Sequence, residues 1–347
     1  MINNILHGKT HCTSSDVHGA EIMSGSLLTA EIPGHASGPW SFLKAAGESL
    51  GFCAIGVARA GEVSQSARDV FERWIGLGYH AGLAYMEKWS DARIDTAHHG
   101  IVDGSAAVVC AALPYSGGAV ETGIWKSVAA HARSKDYHQV MGGRLGGIVR
   151  AIHARFPGTI SRVFVDTAPV MERTWAVAAG LGGLGKNGAL IVPGVGSRVV
   201  LGEIVCSNVP EPEYVEVASV RGPCLECGAC VDACPTGALV PSGMVDCNRC
   251  VSYHTIENTR APIPSNVSSA MTLIFGCDLC IDACPLNRVA DRCELDPPSD
   301  RGPDSMTPQD ASEAPDEILV GMFRGTCLER TSIETIRRNA RLLVEAN

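Results

Sequence analysis

Hydrophobic and polar positions change along the first two thirds of the chain in a way that predicts strands and helices in turn. Short apolar runs typical of buried strands cover Cys53–Ala58, Ala107–Leu113, Arg162–Val165, Ala189–Val192 and Val199–Val205. Apolar residues at helical spacing predict helices over Phe42–Leu50, Ala67–Gly76, Tyr137–Phe156 and Met171–Ala179. Gly194 and Gly196 separate the last two strands and predict a β-hairpin. The pattern indicates a fold that mixes helices and strands, of the α+β or α/β class.

The spacing of these elements and shifts in composition divide the chain into four parts. Residues 1–36 lack sustained periodicity, which is typical of a disordered extension. Residues 37–212 hold the predicted α/β domain, and Pro212 marks its end. Residues 213–290 contain most of the cysteines and form a second, ferredoxin-like domain. Residues 291–347 begin as an acidic linker over 291–316 and end as a short helical tail. The tail includes the basic residues Arg337, Arg338 and Arg341.

The composition excludes several classes of protein. With 347 residues, of which 46% are hydrophobic, the chain is long enough to bury a core. No apolar run approaches the roughly 18 residues of a membrane helix. Residues 1–10 lack the features of an export signal, so we expect a protein of the cytoplasm. The net charge of -9 argues against a generally basic nucleic-acid-binding protein and leaves room for a local basic patch.

Nine of the 15 cysteines lie between Cys224 and Cys284, which favours metal ligation over disulfides in a chain without an export signal. The first motif has the spacing C-x2-C-x2-C-x3-C-P, and its cysteines are Cys224, Cys227, Cys230 and Cys234. This spacing is typical of proteins with two 4Fe-4S clusters, in which three thiolates bind one cluster and the fourth binds its neighbour. Structural zinc, which prefers separated cysteine pairs around one ion, is the less favoured alternative.

The second cysteine motif is incomplete, because Ile274 stands where its first cysteine belongs. An outside thiolate must complete the count, and both Cys247 and Cys250 are available. Exchange of the fourth cysteines between the motifs predicts a first set made of Cys224, Cys227, Cys230 and Cys284. The second set is Cys234, Cys277 and Cys280, with Cys247 or Cys250. Two neighbouring clusters predict electron transfer but do not identify a substrate.

A glycine-rich segment, GLGGLGKN at residues 180–187, satisfies G-x-G-x-x-G and nearly satisfies the phosphate-binding motif G-x4-G-K-[ST]. Both motifs require a strand before the glycines and a helix after them, whereas here the predicted order is helix and then strand. Asn187 also replaces the hydroxyl that binds magnesium. The loop is equally consistent with a helix end, which leaves Lys186 merely solvated, and with a loop that contacts a ligand.

Asp166 follows the predicted strand Arg162–Val165, at a position where open α/β sheets place ligands and catalytic groups. It is equally well placed to cap the helix that begins near Pro169. For four neighbouring residues, too, the sequence leaves two interpretations open. Each is either part of a functional site or a structural residue, in the core or on a solvated helix face. They are Tyr137, His138, Glu172 and Arg173.

Five segments together resemble the epoxyqueuosine reductase family. They are FVDTAPVMER (164–173), AGLGGLGKN (179–187), CGACVDACPTGAL (227–239), RCVSYHTIE (249–257) and GCDLCIDACPLN (276–287). The likeness runs from about Gly51 to Arg288, with a weaker echo in RGTCLERTSIETIRRN (324–339). The RCxSYxTIE pattern between the cysteine motifs is far more specific than cysteine spacing alone.

The resemblance implies an oxidoreductase that reduces epoxyqueuosine to queuosine at the wobble position of tRNA, using cob(I)alamin supplied with electrons by two 4Fe-4S clusters. It makes Cys250 the eighth cluster ligand and Asp166 the proton donor, with a pKa raised by burial beside the cobalamin. The positions that match cobalamin contacts are Arg93, Tyr137, His138, Asp166, Lys186 and Asn187. The implied partners are tRNA carrying epoxyqueuosine and a reductant such as flavodoxin or ferredoxin. We expect a monomer that makes no membrane contact.

The chain departs from the family pattern at Gly183, where the family commonly has Trp, and at Ala129–His131, which replace a Ser-Arg-aromatic or Cys element. The sequence also ends soon after the RRN element, without the helical repeats of many members, so we expect local basic residues to contact tRNA. These residues are Arg144, Arg150, Arg155, Arg249 and Arg260. Two alternatives remain: a cobalamin-dependent reductase of another small substrate, similar to reductive dehalogenases, and a non-catalytic two-cluster electron carrier.

Overall fold

The elements follow the order predicted from the hydrophobic pattern, with boundaries that differ by one or two residues. The computed structural model describes residues 34–97, 101–118, 123–213, 222–240, 243–288, 295 and 305–346. The strands are β1 Ala54–Arg59, β2 Ser105–Pro114, β3 Ile160–Phe164, β4 Gly183–Leu184, β5 Leu190–Ile191 and β6 Val199–Ser207. The helices are α1 Phe42–Ser49, α2 Gln65–Gly76, α3 Ala84–Lys88, α4 Ser90–Ile94, α5 Tyr137–Arg155, α6 Glu172–Ala178, α7 Ala229–Asp232, α8 Val251–Ile256, α9 Ser265–Ser268, α10 Leu279–Asp282, α11 Pro308–Glu313, α12 Asp316–Phe323 and α13 Ile333–Glu345.

Four strands form an antiparallel sheet in the order β1-β2-β6-β3. Strand β6 carries apolar residues toward both faces, since Val205 packs in one core and Ile204 in the other. A strand that is apolar on both faces is buried on both faces, which accounts for the central place of β6 between β2 and β3. The mixed α/β fold expected from the sequence is confirmed, and the sheet itself is antiparallel.

The predicted hairpin between Ala189–Val192 and Val199–Val205 is wrong. Strand β5 pairs with β4 in a separate two-stranded sheet, and β6 pairs with β2 and β3. Val192 and Gly196 form an isolated antiparallel bridge, so the turn at Gly194 pairs its own two ends and does not pair β5 with β6. Strand β6 forms more cross-strand pairs along the whole length of β2 than it could form with the short β5, and these pairs stabilise the sheet.

Helices cover both faces of the four-stranded sheet. Helix α5 buries Met141, Leu145, Ile148 and Ile152 against one face, at the spacing of a single helical stripe. On the opposite face, α6 buries Trp175 and its neighbours. Helix α6 follows β3 after the turn that contains Asp166, so the same packing fixes that turn.

A third core joins the cysteine-containing part of the chain to the C-terminal residues, with Val251, Phe275 and Phe323 among its buried members. Asn339 donates hydrogen bonds to the carbonyls of Thr255 and Ile274, both at 2.8 Å. The C-terminal helices are therefore an integral cover of the cysteine segments. The acidic linker predicted for residues 291–316 is wrong at its end, because Thr307 caps α11 with a capping box.

Residues 34–36 of the predicted N-terminal extension pack on the sheet. The backbone N–H of His35 donates to Ala179 and its carbonyl accepts from Val57, both at 2.8 Å. Residues 1–33 lie outside the described residues, and the domain boundaries at residues 212 and 290 remain predictions. Among the residues that the structure describes, no helix is long and apolar enough to cross a membrane.

Candidate functional site

Asp166 lies in a tight turn between β3 and α6. Its φ is +58°, in the left-handed region that few residues other than glycine, Asn and Asp adopt. The turn is fixed by two short bonds of 2.6 Å, one from the Thr167 N–H to the Val165 carbonyl and one from the Asp166 N–H to Oε1 of Glu172. The side chain of Asp166 is 57% exposed. The alternative of helix capping is wrong, because α6 begins at Glu172 with Met171 at its N-cap.

His138 joins Asp166 to a second carboxylate. Its Nε2 lies 3.2 Å from Oδ2 of Asp166, and its Nδ1 lies 2.5 Å from Oδ1 of Asp136. Burial alone would lower the pKa of His138, but the hydrogen bonds to Asp136 and Asp166 raise it to about 11. His138 is therefore an imidazolium that donates to a carboxylate from each ring nitrogen.

The charge on Asp166 follows from this contact. The hydrogen bond from His138 lowers the pKa of Asp166 and outweighs the opposing effect of burial. The expectation of a raised pKa is wrong for this arrangement, because the sequence did not reveal that a cation lies next to Asp166. The proton of this site resides on His138.

Asp136 was not singled out from the sequence, although an Asp directly before a helix is a cap signal. Its side chain caps α5 by accepting the N–H of His138 at 3.1 Å, and its Oδ2 accepts Nε of Arg330 at 2.9 Å. Burial acts to raise the pKa of Asp136, but the hydrogen bonds from His138 and Arg330 lower it to about 2. Asp136 is therefore a buried carboxylate that is fully paired.

Two further carboxyl groups lie behind Asp166. Burial and then the charge of Asp166 raise the pKa of Glu172 to about 7, so its interpretation as a solvated helix residue is wrong. Glu203, on the central strand, is 0% exposed, and neither of its oxygens has a hydrogen-bond partner among the described residues. Burial raises the pKa of Glu203 well above its usual range, so this residue is neutral.

Arg93 and Tyr137 line the same region. Arg93 is 7% exposed and its guanidinium lies over the ring of Tyr85, 5.8 Å from the ring centroid. Its Nε finds no acceptor within the described parts of the chain, and burial lowers the pKa of Arg93. The ring of Tyr137 stacks on His138 with centroids 4.0 Å apart. These aromatic contacts fix both cationic side chains.

The cysteines separate into two groups. One cavity is lined by Cys224, Cys227, Cys230 and Cys284, the set predicted from exchange between the motifs. In the other group, burial and the charges of Cys250 and Cys234 raise the pKa of Cys277. Burial and the charges of Cys277, Cys250 and Cys234 likewise raise the pKa of Cys280. Both sets of four therefore lie together in the fold.

Cys247 lies beside the second group but is held by another part of the chain. Its N–H donates to the carbonyl of Tyr79 at 2.8 Å, and burial followed by the charge of Cys250 raises its pKa to about 12. Cys250 instead stands at the N-cap of α8, the helix that contains most of the SYHTIE element.

Lys186 and Asn187 lie against the cysteine segments. Nζ of Lys186 donates to the Glu226 carbonyl at 2.9 Å, and Nδ2 of Asn187 lies 3.4 Å from the Cys280 carbonyl. Both residues also line the cavity that contains Cys224. The glycine loop therefore connects the sheet to both cysteine groups, and the predicted order of helix before the loop and strand after it is confirmed.

The positions that depart from the family pattern have structural roles. The N–H of Ala129 donates to the Phe275 carbonyl at 2.8 Å, and the N–H of Ala130 donates to Oδ2 of Asp278 at 2.7 Å. Gly183 pairs with Ile191 within the two-stranded sheet. The Ala129–Ala130 segment therefore attaches the sheet domain to the residues around Cys277.

Comparisons with known proteins agree along the chain. A family model for a 4Fe-4S double cluster binding domain matches residues 223–287, and a model for epoxyqueuosine reductase QueG matches residues 95–167. An epoxyqueuosine reductase of Gloeobacter violaceus is 33% identical over 88% of this chain and 95% of its own length. One from Leadbetterella byssophila is 34% identical over 87% of this chain and 97% of its own length. This chain is also similar to a crystal structure of epoxyqueuosine reductase with an epoxyqueuosine-modified tRNA-Tyr stem loop, at 25% sequence identity and a TM-score of 0.74. The match covers 88% of this chain and 82% of the chain in the crystal structure. The chain belongs to the epoxyqueuosine reductase family.

Proposed function

We propose that this protein reduces epoxyqueuosine to queuosine at the wobble position of tRNA. The observation that carries the proposal is that the turn of Asp166 lies within electrostatic range of a helix of the cysteine domain. Burial and the charge of Asp166 both raise the pKa of Glu257, at the C-cap of α8, so this end of α8 lies near Asp166. The other end of the helix is Cys250. A predicted cluster ligand therefore stands at one end of this short helix, and the His138–Asp166 pair lies near its other end.

The residues of the first domain fit cobalamin. The corrin ring carries carboxamide side chains, whose oxygens are suitable acceptors for the unpaired Nε of Arg93. Tyr137 and His138 present a stacked pair of rings beside Asp166. Arg93, Tyr137, His138 and Asp166 would hold the cofactor from the sheet domain, with Lys186 and Asn187 on the side of the cysteine segments. When bound, cobalamin supplies a metal centre that passes electrons to the substrate carbon.

The two cysteine groups fit two 4Fe-4S clusters. We assign the first to Cys224, Cys227, Cys230 and Cys284 and the second to Cys234, Cys250, Cys277 and Cys280. Cys247 is left out because the family pattern assigns the eighth ligand to Cys250, which stands at the N-cap of α8. A cytoplasmic reductant such as flavodoxin or ferredoxin would supply electrons to these clusters.

Asp166 performs the acid step. Replacing an epoxide by an alkene consumes an electron pair and a pair of protons and releases water, and the epoxide oxygen is a poor leaving group until it is protonated. The exposed carboxyl of Asp166 can reach a substrate atom, while His138 at 3.2 Å supplies the proton that Asp166 passes on. The half-buried Glu172, whose pKa is raised to about 7, adds a partly protonated carboxyl behind the turn.

Exposed basic residues in both domains support a tRNA substrate. Arg150 and Arg155 are exposed on α5, and Arg249 and Arg260 are exposed in the cysteine domain. Such side chains attract phosphates even on a protein of net negative charge. Arg144 contributes less, because its Nη1 donates to the Leu50 carbonyl at 2.8 Å.

Turnover of tRNA bearing epoxyqueuosine tests the proposal. The protein would be purified without oxygen, loaded with iron, sulfide and cobalamin, and given a strong reductant and the modified tRNA. Mass spectrometry of the nucleosides should show loss of one oxygen and appearance of queuosine. A preparation with full cluster iron and bound cobalamin that leaves epoxyqueuosine unchanged would contradict the proposed function.

A further inference from the structure

The C-terminal residues reach the acid site through a short segment, residues 325–330, which we name the C-terminal strap. Its backbone is anchored to the start of α5, because the Gly325 carbonyl accepts the N–H of Asp136 at 2.7 Å. Lys135 and Thr326 form an isolated β-bridge beside this bond. Gly325 has a φ of +72°, a conformation that favours glycine, so the strap makes its turn at this residue.

Two side chains of the strap contact Asp136. Nε of Arg330 donates to Oδ2 at 2.9 Å, and the buried thiol of Cys327 lies 3.6 Å from Oδ1. Together with the two bonds from His138, these contacts surround a carboxylate whose side chain is only 5% exposed. A buried carboxylate with several donors has one stable orientation. The strap therefore holds the carboxylate of Asp136 in place, and this carboxylate in turn holds the ring of His138.

We propose that Asp136 and Arg330 are positioning residues for proton delivery, so that the C-terminal strap keeps the His138–Asp166 pair protonated and aligned for the reaction. This inference rests on the proposed function. The step is balanced: the proton on Nε2 of His138 moves to Asp166, Asp166 gives a proton to the substrate oxygen, and His138 regains its proton from solvent. Asp136 stays ionised throughout and stabilises the imidazolium.

Other charged groups around the pair act from several elements. Cys327 of the strap forms a hydrogen bond with His138, and the charge of His138 acts on Glu172 of α6 and on His131. Arg330 of the strap and Arg173 of α6 act on Asp166. Arg93, Tyr85 and Glu257 act on Asp166. Among the described groups around His138, the carboxylates of Asp136 and Asp166 accept hydrogen bonds from its ring nitrogens, and the bond to Asp136 is the shorter, at 2.5 Å against 3.2 Å. Replacing Asp136 therefore changes the proton affinity of His138 more than replacing any other of these groups.

The first experiment measures the proton on His138 directly. Nitrogen NMR of labelled protein, with the His138 signal assigned by its loss in His138→Gln, should show a protonated ring up to about pH 9 in the wild type. In Asp136→Asn the same ring should lose its proton at a lower pH, because one carboxylate partner has become neutral. A neutral His138 at pH 8 in the wild type would overturn the proposal whatever the substrate, so this result is independent of the proposed function.

The second experiment follows turnover of epoxyqueuosine tRNA. We expect Arg330→Gln to lower kcat roughly 10- to 100-fold with little change in the KM for tRNA, since alignment is lost and binding is kept. Arg330→Lys should recover part of this loss because it keeps the charge without the planar fork. In Asp136→Asn, kcat should fall as the pH rises from about 7 to about 9, where the wild type stays level.

Arg337→Gln is the matched control. Arg337 belongs to the same C-terminal region, but it bonds the Ala314 carbonyl and Asp316, away from Asp136. We expect it to lower thermal stability slightly and to leave kcat and its pH dependence unchanged. If Arg330→Gln behaves like Arg337→Gln, the strap only stabilises the fold and the proposal fails. Absence of turnover in the wild type would contradict the proposed function and leave the NMR result to decide on His138.

Discussion

The cysteine segments and the acid site are built from the sequence in opposite ways. The proposed cysteine ligands lie between Cys224 and Cys284, and most of them follow two motifs of fixed spacing in and around the short helices α7 and α10. The acid site brings together residues from α4, the start of α5, the turn before α6 and the C-terminal strap. Local spacing therefore determines the first region, and long-range packing determines the second.

Because of this difference, the cysteine region can bind clusters by itself, whereas the acid site depends on the rest of the fold. A segment with regular cysteine spacing binds clusters and carries electrons wherever it occurs, so it indicates a reaction class and no substrate. The acid site has a charge state that exists only when distant residues meet, because His138 would not be a cation at neutral pH without its two carboxylates. Specific chemistry in this protein therefore depends on the region that the sequence reveals least.

Removal of Cys284 should produce the largest effect. Cys284 belongs to the second motif in sequence but lines the cavity of the first group. We expect Cys284→Ser to lose roughly half of the bound iron and to reduce turnover to background. Iron analysis and electron paramagnetic resonance would measure the loss, and Cys224→Ser should change the same spectral component. A loss of different components in these two variants would break the ligand assignment.

Cys247→Ser is the control for this variant, since the half-buried Cys247 thiol lies near the second group but is not assigned to a cluster. It should retain its iron content and its spectrum, whereas Cys250→Ser should lose iron. An equal loss in Cys247→Ser and Cys250→Ser would mean that the SYHTIE element does not identify the eighth ligand.

Replacement of Asp166 should separate the acid step from cofactor binding. We expect Asp166→Asn to lower turnover about 10²- to 10⁴-fold, the usual contribution of a general acid, with iron and cobalamin content unchanged. Asn tolerates the φ of +58° at this position, so the variant tests the proton and avoids backbone strain. Turnover within about tenfold of the wild type would remove Asp166 from the proton path.

The sequence was sufficient for most of the fold because its signals were local. The stripe of Met141, Leu145 and Ile152 predicts α5, and apolar runs predict β1, β2 and β6. The hairpin prediction failed because two adjacent strands do not show which partner each will choose. That choice depends on the length of β2, which lies far away in the sequence.

The acid site was predicted only in part, for a similar reason. Asp166 was identified from its place after a strand and from the family pattern, although the parallel-sheet argument does not apply to this antiparallel sheet. Nothing in the sequence pattern identifies Asp136 as part of the site, and the strap carries only a weak resemblance to the family. The pKa of Asp166 could not be predicted because its direction depends on His138 at 3.2 Å, a contact that no spacing encodes.

Alkaline pH should reveal the paired charges through stability. The pKa of His138 is raised from 6.5 to about 11, so its contribution to the free energy of unfolding is complete below about pH 6.5 and is lost as the pH rises through about 11. Asp136 has a lowered pKa, so its contribution is present above about pH 3.8 and is lost as the pH falls through about 2. We expect the wild-type melting temperature to fall between about pH 7 and pH 10 more steeply than that of His138→Gln.

His153→Gln is the control for this measurement, because His153 is exposed on α5 and bonds only the Ser161 hydroxyl at 2.9 Å among its described contacts. Its melting curve should run parallel to that of the wild type over the whole range. If the curve of His138→Gln also runs parallel to that of the wild type, the charges around Asp166 do not contribute to the free energy of unfolding. The acid site would then not depend on long-range charge pairing in the way proposed here.

The smallest effects should come from contacts that join the two regions. Asn287 accepts the N–H of Ser197 at 2.6 Å and donates to the Ile281 carbonyl at 2.6 Å, in a buried site where a side chain at Gly196 would collide with it. We expect Asn287→Ala to lower the free energy of unfolding by about 1–3 kcal/mol, because it leaves buried backbone groups unpaired.

Asp282→Asn tests an exposed contact between the same segments. Asp282 binds Nη2 of Arg198 at 2.8 Å, but its side chain is 55% exposed, so water screens the ion pair. We expect the loss to be about 0–1 kcal/mol by chemical denaturation, below that of Asn287→Ala. Buried polar bonds would then hold the electron-carrying region against the sheet, while the ion pair at the edge adds little. The reverse order would show that charge pairing joins the two regions.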